Sequence, residues 1–245
     1  VKNNPQYPAI QLADVSVNLP SRAGVVEILA GITLSVEQGE AVAIVGPSGS
    51  GKTTLLMVMA GLERPTSGSV SVSGQDLAPL DEDALAQLRA GRIGIVFQSF
   101  HLVPSMTALE NIALPLEFLG DGQAFEAAYR ALQDVGLENR AEHFPAQLSG
   151  GEQQRVAIAR ALGIQPKIIL ADEPTGNLDS RTGDQVMDLL FRLREKYGAA
   201  LVLITHDAAL TKRCGRVLHM RDGMFEKGSR AKAVPRSYEA AMKRR

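Results

Sequence analysis

Hydrophobic and polar residues alternate in short runs through the first third of the chain. Ile10-Gln11-Leu12-Ala13, Val15-Ser16-Val17, Val25-Val26-Glu27-Ile28-Leu29 and Ile32-Thr33-Leu34-Ser35-Val36 carry the period of two that marks half-buried strands. Ala41 to Val45 is wholly apolar and predicts a buried strand, while Thr54 to Ala60 opens a helix. Ser69 to Gly74 alternates again after the break at Pro65-Thr66-Ser67-Gly68. Alternating strands gathered around one buried strand predict an antiparallel sheet laid against an α/β core. Asp81 to Ala90 reads as a helix with Asp81 as N-cap and Leu85 and Leu88 on one face. Ile93 to Phe97 is a short strand, and from Thr107 to about Leu162 the texture is helical. A strand at Ile168 to Ala171, a helix at Thr182 to Lys196 and a strand at Ala200 to Ile204 follow. Arg216 to Phe225 closes as a hairpin around Arg221-Asp222-Gly223. The predicted organisation is one α/β domain over 9–228 with a helical insert at about 99–162. Residues 1–8 read as a poorly ordered lead-in and 229–245 as a basic, solvated tail with a short helix at 238–243.

Composition narrows the class. At 245 residues, 45% hydrophobic and 22% charged, the chain is expected to be an ordinary globular protein. A formal net charge of −1 gives no basic footprint, so no nucleic-acid partner is expected. Cys214 stands alone, which fits a reducing compartment and a packed thiol. No run approaches the roughly 18 apolar residues that span a bilayer, and the start lacks a signal-peptide pattern. A cytoplasmic chain that reaches a membrane only through another protein is the expectation.

The chemistry starts at Gly46-Pro47-Ser48-Gly49-Ser50-Gly51-Lys52-Thr53, between the buried strand and the helix that Thr54 continues. Strand, glycine-rich loop, Lys-Thr and helix form the phosphate-binding P-loop. The loop backbone can cradle a polyphosphate, and the positive end of the helix dipole adds to the same place. Lys52 can reach the outer phosphates and the Thr53 hydroxyl can ligate Mg²⁺. A nucleoside triphosphate is the implied ligand.

Three further strand ends supply the remaining chemistry. Ile168 to Ala171 runs into Asp172-Glu173, which places Asp172 to hold Mg²⁺ and Glu173 to act as general base on an attacking water. His206 follows the strand ending at Ile204-Thr205 and can sense the γ-phosphate. Gln98 ends the strand Ile93 to Phe97 and can ligate Mg²⁺ or hold the water. Ser149-Gly150-Gly151, within Leu148 to Arg155, opens a helix and is read as a second anion-binding start with a hydroxyl and free N–H groups. One nucleotide does not need two such starts. They are reconciled if Ser149 and Gly151 serve the nucleotide of a second copy, with two chains paired head to tail around two nucleotides.

Together these residues resemble an ABC ATPase, the nucleotide-binding subunit of ATP-binding-cassette systems, over about residues 9–227. Gly46 to Thr53 is similar to Walker A, Gln98 to the Q-loop, Leu148 to Glu152 to the signature motif and Ile168 to Asp172 to Walker B. Glu173 then takes the place of the catalytic glutamate, Gly176-Asn177-Leu178-Asp179 the D-loop and His206 the switch histidine. Val96 to Pro104, Leu109 to Ile112 and Asp172 to Asp179 resemble the branch of lipoprotein-release, macrolide-export and FtsE-type ATPases, and Pro145 to Arg155 its YbbA-like members. The resemblance implies a P-loop core, a flanking antiparallel β subdomain and an inserted helical subdomain. It also implies ATP and Mg²⁺ as cofactors, hydrolysis to ADP and phosphate, and a homodimer driving a permease at the cytoplasmic face of the inner membrane. Phe100 to Ile112, with Phe100, Leu102, Val103 and Met106, is the expected contact with that permease. Leu19, in Val17-Asn18-Leu19-Pro20, stands where the family stacks an aromatic on adenine, so ATP and GTP are expected to be closer in affinity than usual. A soluble ABC ATPase of repair or translation is the alternative. The first kind carries a long coiled-coil interruption and the second a paired cassette, and this sequence shows neither. A scaffold that does not hydrolyse is a further alternative, opposed by Glu173 and His206.

Overall fold

The computed structural model describes residues 7–21 and 24–226. Residues 1–6 of the predicted lead-in over 1–8, and the basic tail with its short helix, lie outside the described residues. The chain divides into two compact units, one running to Leu85 and resuming at Ile204, the other spanning Ala86–Leu203.

In the first unit, β1 (Ile10–Ser21) and β2 (Gly24–Val36) pair antiparallel from Ile10 opposite Val36 to Ser21 opposite Gly24. The four short strands expected here are therefore two long ones. The breaks in alternation at Asp14 and Gly31 are bulges, with φ of 51° and 61°. Side chains supply the bonds the bulges remove: the Asp14 N–H donates to Thr33 Oγ1 at 3.1 Å and the Gly31 N–H to Ser16 Oγ at 2.9 Å. β4 (Ser67–Val72) and β5 (Gln75–Asp76) complete an antiparallel sheet of order β2-β1-β4-β5. Its buried face carries Ile10, Leu12, Ile32, Leu34, Val70 and Val72.

The same unit holds β3 (Ala41–Val45), parallel to β9 (Arg216–Arg221), with β10 (Met224–Phe225) folding back on β9. Arg216 fastens this group to β2. Its guanidinium lies 3.1 Å from Glu40 Oε1 and donates to the Ser35 carbonyl at 2.6 Å. Helix α1 (Lys52–Met59) follows the P-loop and buries Leu55, Leu56, Val58 and Met59. α2 (Glu82–Arg92) starts on an Asp81 cap, whose carboxylate accepts the Ala84 N–H at 2.9 Å.

The second unit begins with β6 (Ile93–Phe97), parallel to β7 (Ile168–Asp172), and Phe97 lies opposite Asp172. β8 (Ala200–Ile204) continues the order β8-β7-β6 at the unit boundary. Three helices pack together between β6 and β7: α3 (Ala108–Phe118), α4 (Ala124–Asp134) and α5 (Gly150–Gly163). α6 (Ser180–Tyr197) is tied to α4, because Lys196 Nζ and the Tyr197 hydroxyl both donate to Asp134, at 2.6 and 3.0 Å.

Candidate functional site

The P-loop lies between β3 and α1. Lys52 is buried, and its ammonium donates to the Gly46 and Pro47 carbonyls at 2.9 and 2.8 Å. Two of its three protons thus brace the loop, which leaves a third donor for a phosphate. Gly51 needs to be glycine: its φ is 96° and a Cβ there would sit 2.7 Å from the Ile28 carbonyl. Ser50 Oγ is buried, with no partner among the described residues. The start of α1 has neither a side-chain cap nor an acidic residue in its first turn. Every other described α-helix has one or both: Asp81 with Glu82 and Asp83, Thr107 with Glu110, Glu126, Ser149 with Glu152, Asp179, and Asp207. The α1 dipole end is the one left for an external anion, so the residues fit a polyphosphate.

His206 is exposed and belongs to the same unit. The preceding Thr205 N–H donates to the Ile44 carbonyl at 3.3 Å, which brings His206 beside the end of the P-loop strand. Leu19 is 42% exposed on β1 opposite Val26, itself 45% exposed, an apolar platform of the kind a base could cover.

In the second unit, Asp172 ends β7 and Glu173 follows it, both half-buried. Glu173 has φ 43°, a left-handed conformation that a glutamate adopts at a cost and that turns its side chain out of the strand's alternation. A turn closes behind it, with the Gly176 N–H on the Glu173 carbonyl at 3.0 Å. Gln98 ends the neighbouring strand, and its amide donates to Asn177 Oδ1 at 3.3 Å while Asn177 returns a bond to the Gln98 carbonyl at 3.0 Å. A Cβ at Gly176 would strike the Gln98 amide at 2.6 Å, so glycine is what admits Gln98 to this corner. Asp179 caps α6, accepting the Thr182 N–H at 3.0 Å, and hydrogen bonds from the Thr182 side chain and then its backbone hold the Asp179 carboxyl below the usual range.

The start of α5 is capped from within its own chain, and the Ser149 hydroxyl takes part. It donates to Glu152 Oε2 at 2.8 Å, the same oxygen accepts the Ser149 N–H at 2.8 Å, and the Glu152 N–H returns to Ser149 Oγ at 3.3 Å. This capping box places a carboxylate on the dipole end, and Arg140 lies 3.1 Å from Glu152 Oε1. The two bonds from Ser149, backbone first, and then Arg140 hold the Glu152 pKa down to about 2. Gly150 lies against Leu178, just before α6, and Gly151 against Thr182, in the first turn of α6.

Comparison with known proteins decides the family. A family model described as ABC transporter matches residues 29–176. The ATP-binding protein YbbA of Escherichia coli K12 is 51% identical over 201 residues, 81% of this chain and 88% of that protein.

The chain belongs to the ABC transporter family.

The macrolide export ATP-binding/permease protein MacB of Escherichia coli K12 is 47% identical over 218 residues, 88% of this chain but only 34% of MacB, so the chain spans about a third of that relative. Among solved structures, the ATP-binding cassette MJ0796, in a dimeric post-hydrolysis state bound to ADP and Pi, is 42% identical with a TM-score of 0.83, covering 89% of this chain and 97% of that one. A second dimeric MJ0796 structure is 43% identical at the same score. This chain is an ABC ATPase with the expected α/β fold, an antiparallel sheet beside parallel strands. It binds ATP.

Within the cassette, one unit gathers Gly46 to Thr54, Leu19 and His206, and the other gathers Gln98, Asp172, Glu173, Ser149 to Gly151 and Asp179. Phe100, Leu102, Val103 and Met106 are each half-buried. The segment is pinned by Asn111, fully buried, which bonds Val103 twice, at 2.7 and 3.1 Å, and donates to the Met106 and Thr107 carbonyls. Sequence reasoning gave no bonding role to Asn111, Asn177, Gln154 or Arg160. A polar residue inside an otherwise apolar helical face was the available signal for Gln154 and Asn111.

Proposed function

We propose that the chain is the motor subunit of a membrane transport complex, closing as a head-to-tail homodimer over two ATP molecules and opening after hydrolysis. The observation that carries this reading is the pair of contrasting helix starts. α1 leaves its positive end to an external anion beside Lys52, whereas α5 presents Ser149 and Gly151 on a start that its own Glu152 partly neutralises. In this reading Gly46 to Thr54 hold the triphosphate of their own chain, and Ser149, Gly150 and Gly151 complete the enclosure in the partner chain, with Asp179 at the seam. Leu19 covers the base. Thr53, Asp172 and Gln98 would hold Mg²⁺, which when bound spreads charge from the phosphate oxygens. Glu173 takes a proton from the attacking water, Gln98 and His206 bond to the γ-phosphate edge, and Lys52 steadies charge on the outer oxygens. Loss of the γ-phosphate removes the contact with Ser149, and the dimer opens.

The cassette is taken to span 9–228, with its helical insert at about 99–162 and the 229–245 tail outside it. No described helix is long and apolar enough to cross a membrane. Location at the cytoplasmic face is therefore proposed through a permease, as the ATP-binding/permease name of MacB suggests. That partner is proposed to touch Phe100 to Ile112. Two experiments test the reading. Lys52→Ala should lower nucleotide affinity on the order of tenfold or more by removing a charge-assisted donor; an unchanged affinity would count against the site. Ser105→Glu, at an exposed position of the contact segment, should abolish ATPase stimulation by the co-purified permease and leave basal hydrolysis intact. Equal loss or retention of both activities would count against that surface.

A further inference from the structure

Helix α5 reaches three places in its unit. Its start carries Ser149 to Gly151. About one turn on, Gln154, with no exposed surface, donates through Nε2 to the Phe97 carbonyl at 3.3 Å and the Pro174 carbonyl at 2.5 Å. Phe97 precedes Gln98 and Pro174 follows Glu173, so one amide group fixes the backbone next to both. Farther along, Arg160 donates to the Phe100 and His101 carbonyls at 2.9 and 2.6 Å. Those consecutive residues have φ of 56° and 49°, a left-handed pair that persists only because neighbours hold it. The His101 ring also stands edge-on to Phe97, 4.9 Å between centroids. α5 and β6 are pressed together at Gly94, where a Cβ would collide with the Ala161 carbonyl.

Gln154 is a poor choice for stability alone. Its Oε1 is buried and has no donor among the described residues. A buried acceptor left unmade disfavours folding, and an apolar side chain of like volume would not carry that cost. What the amide adds is the placement of two backbone carbonyls. Arg160 likewise spends a planar fork of donors on a strained loop that an apolar residue would not hold.

We propose that Gln154 and Arg160 are positioning residues through which the helix that closes over the partner's nucleotide sets Gln98 and Glu173 of its own chain. The proposal rests on the reading of Ser149 and Gly151 as a trans contact and of Glu173 as the base. Closure at one nucleotide then bears on a rigid helix whose middle holds the catalytic groups of the other site. The two sites are coupled through α5, and hydrolysis is cooperative in ATP.

Steady-state hydrolysis by the full chain carrying Gln154→Leu tests this, alongside its melting midpoint and its ATP-dependent dimerisation in a Glu173→Gln background. The expected result is a kcat lowered about 10- to 100-fold, as for a misplaced catalytic group, with KM changed by less than about twofold. The Hill coefficient should fall from above one toward one, while melting changes little, because loss of the unmade Oε1 acceptor offsets the two carbonyls left without the amide donor, and the dimer still forms. A kcat within twofold of the parent with cooperativity intact would overturn the proposal, as would a kcat loss matched by loss of melting midpoint and of dimerisation. Should Gln154→Leu fail to fold, Arg160→Lys decides: it keeps the charge, loses the fork, and is expected to show the same kcat and Hill change at an unchanged KM, unchanged kinetics being the contrary result. Glu173→Gln alone separates the two levels. If it hydrolyses normally, the underlying reading fails; if it traps a dimer while Gln154→Leu and Arg160→Lys turn over normally, only the coupling fails.

Discussion

Removing the Glu152 carboxylate should weaken the folded chain and strengthen its ATP-bound dimer. In the folded chain the carboxylate accepts two bonds from Ser149, each at 2.8 Å, sits on the positive end of α5 and pairs with Arg140 at 3.1 Å. Loss of such a cap costs about 1–2 kcal/mol in stability, which for a chain of this size lowers the melting midpoint by roughly 2–8 °C. Glu152→Ala should show that loss at pH 7. Because the Glu152 pKa is depressed to about 2, its contribution is complete above the unfolded value near 4.3 and fades as pH falls from there toward 2. The gap between parent and variant should therefore be flat from about pH 5 to 8 and shrink below about pH 4. The dimer moves the other way. With the carboxylate gone, the Ser149 hydroxyl is released and a negative charge no longer faces the phosphates. About 1 kcal/mol of relieved repulsion at each of the two α5 starts tightens the ATP-dependent dimer roughly 30-fold. Sedimentation in a Glu173→Gln background measures that step without turnover. Glu152→Gln keeps part of the box and drops the charge, so it should tighten the dimer with a smaller melting loss. A melting gap that widens in acid, or a dimer weakened by both variants, would refute the assignment of Glu152 as a brake on the α5 start.

Other expectations follow from single contacts. Arg216→Ala strands the half-buried Glu40 and the Ser35 carbonyl, and should cost about 3 kcal/mol or more in chemical denaturation; a loss under about 1 kcal/mol would show that the pair is not holding β2 to the β3–β9 group. Leu19→Tyr should raise ATP preference over GTP about two- to tenfold, the range of an aromatic stacking contribution of about 0.5–1.5 kcal/mol. Competition binding with the two nucleotides reads this, and an unchanged ratio would mean that Leu19 does not face the base.

Much of this was legible from residues in order. The strands at Ile93–Phe97 and Ala200–Ile204 fall where apolar runs end, and the Asp81 cap is where a polar residue precedes a periodic helix. Local patterning carries those features. Two departures came from bonds between residues distant in sequence or opposite in role. Asp14 and Gly31 looked like strand ends because a bulge interrupts alternation, and only pairing across β1 and β2 shows the ladder continuing. Ser149 looked only like part of an anion-binding start, whereas Glu152 three residues on also completes a capping box with it. The sequence pattern Ser-x-x-Glu carried that signal. The clamps by Gln154, Arg160 and Asn177 join segments about 20 to 80 positions apart, and no local period encodes them.

Head-to-tail closure on ATP is the centre of the account, and sedimentation of Glu173→Gln tests it most directly. With Mg²⁺ and ATP the variant should run at about 52 kDa, twice the 26.2 kDa chain, and with ADP as the single chain. Adding Ser149→Arg to the same chain should return it to the single-chain position even with ATP. A dimer that forms equally with ADP, or that survives Ser149→Arg, would contradict the account.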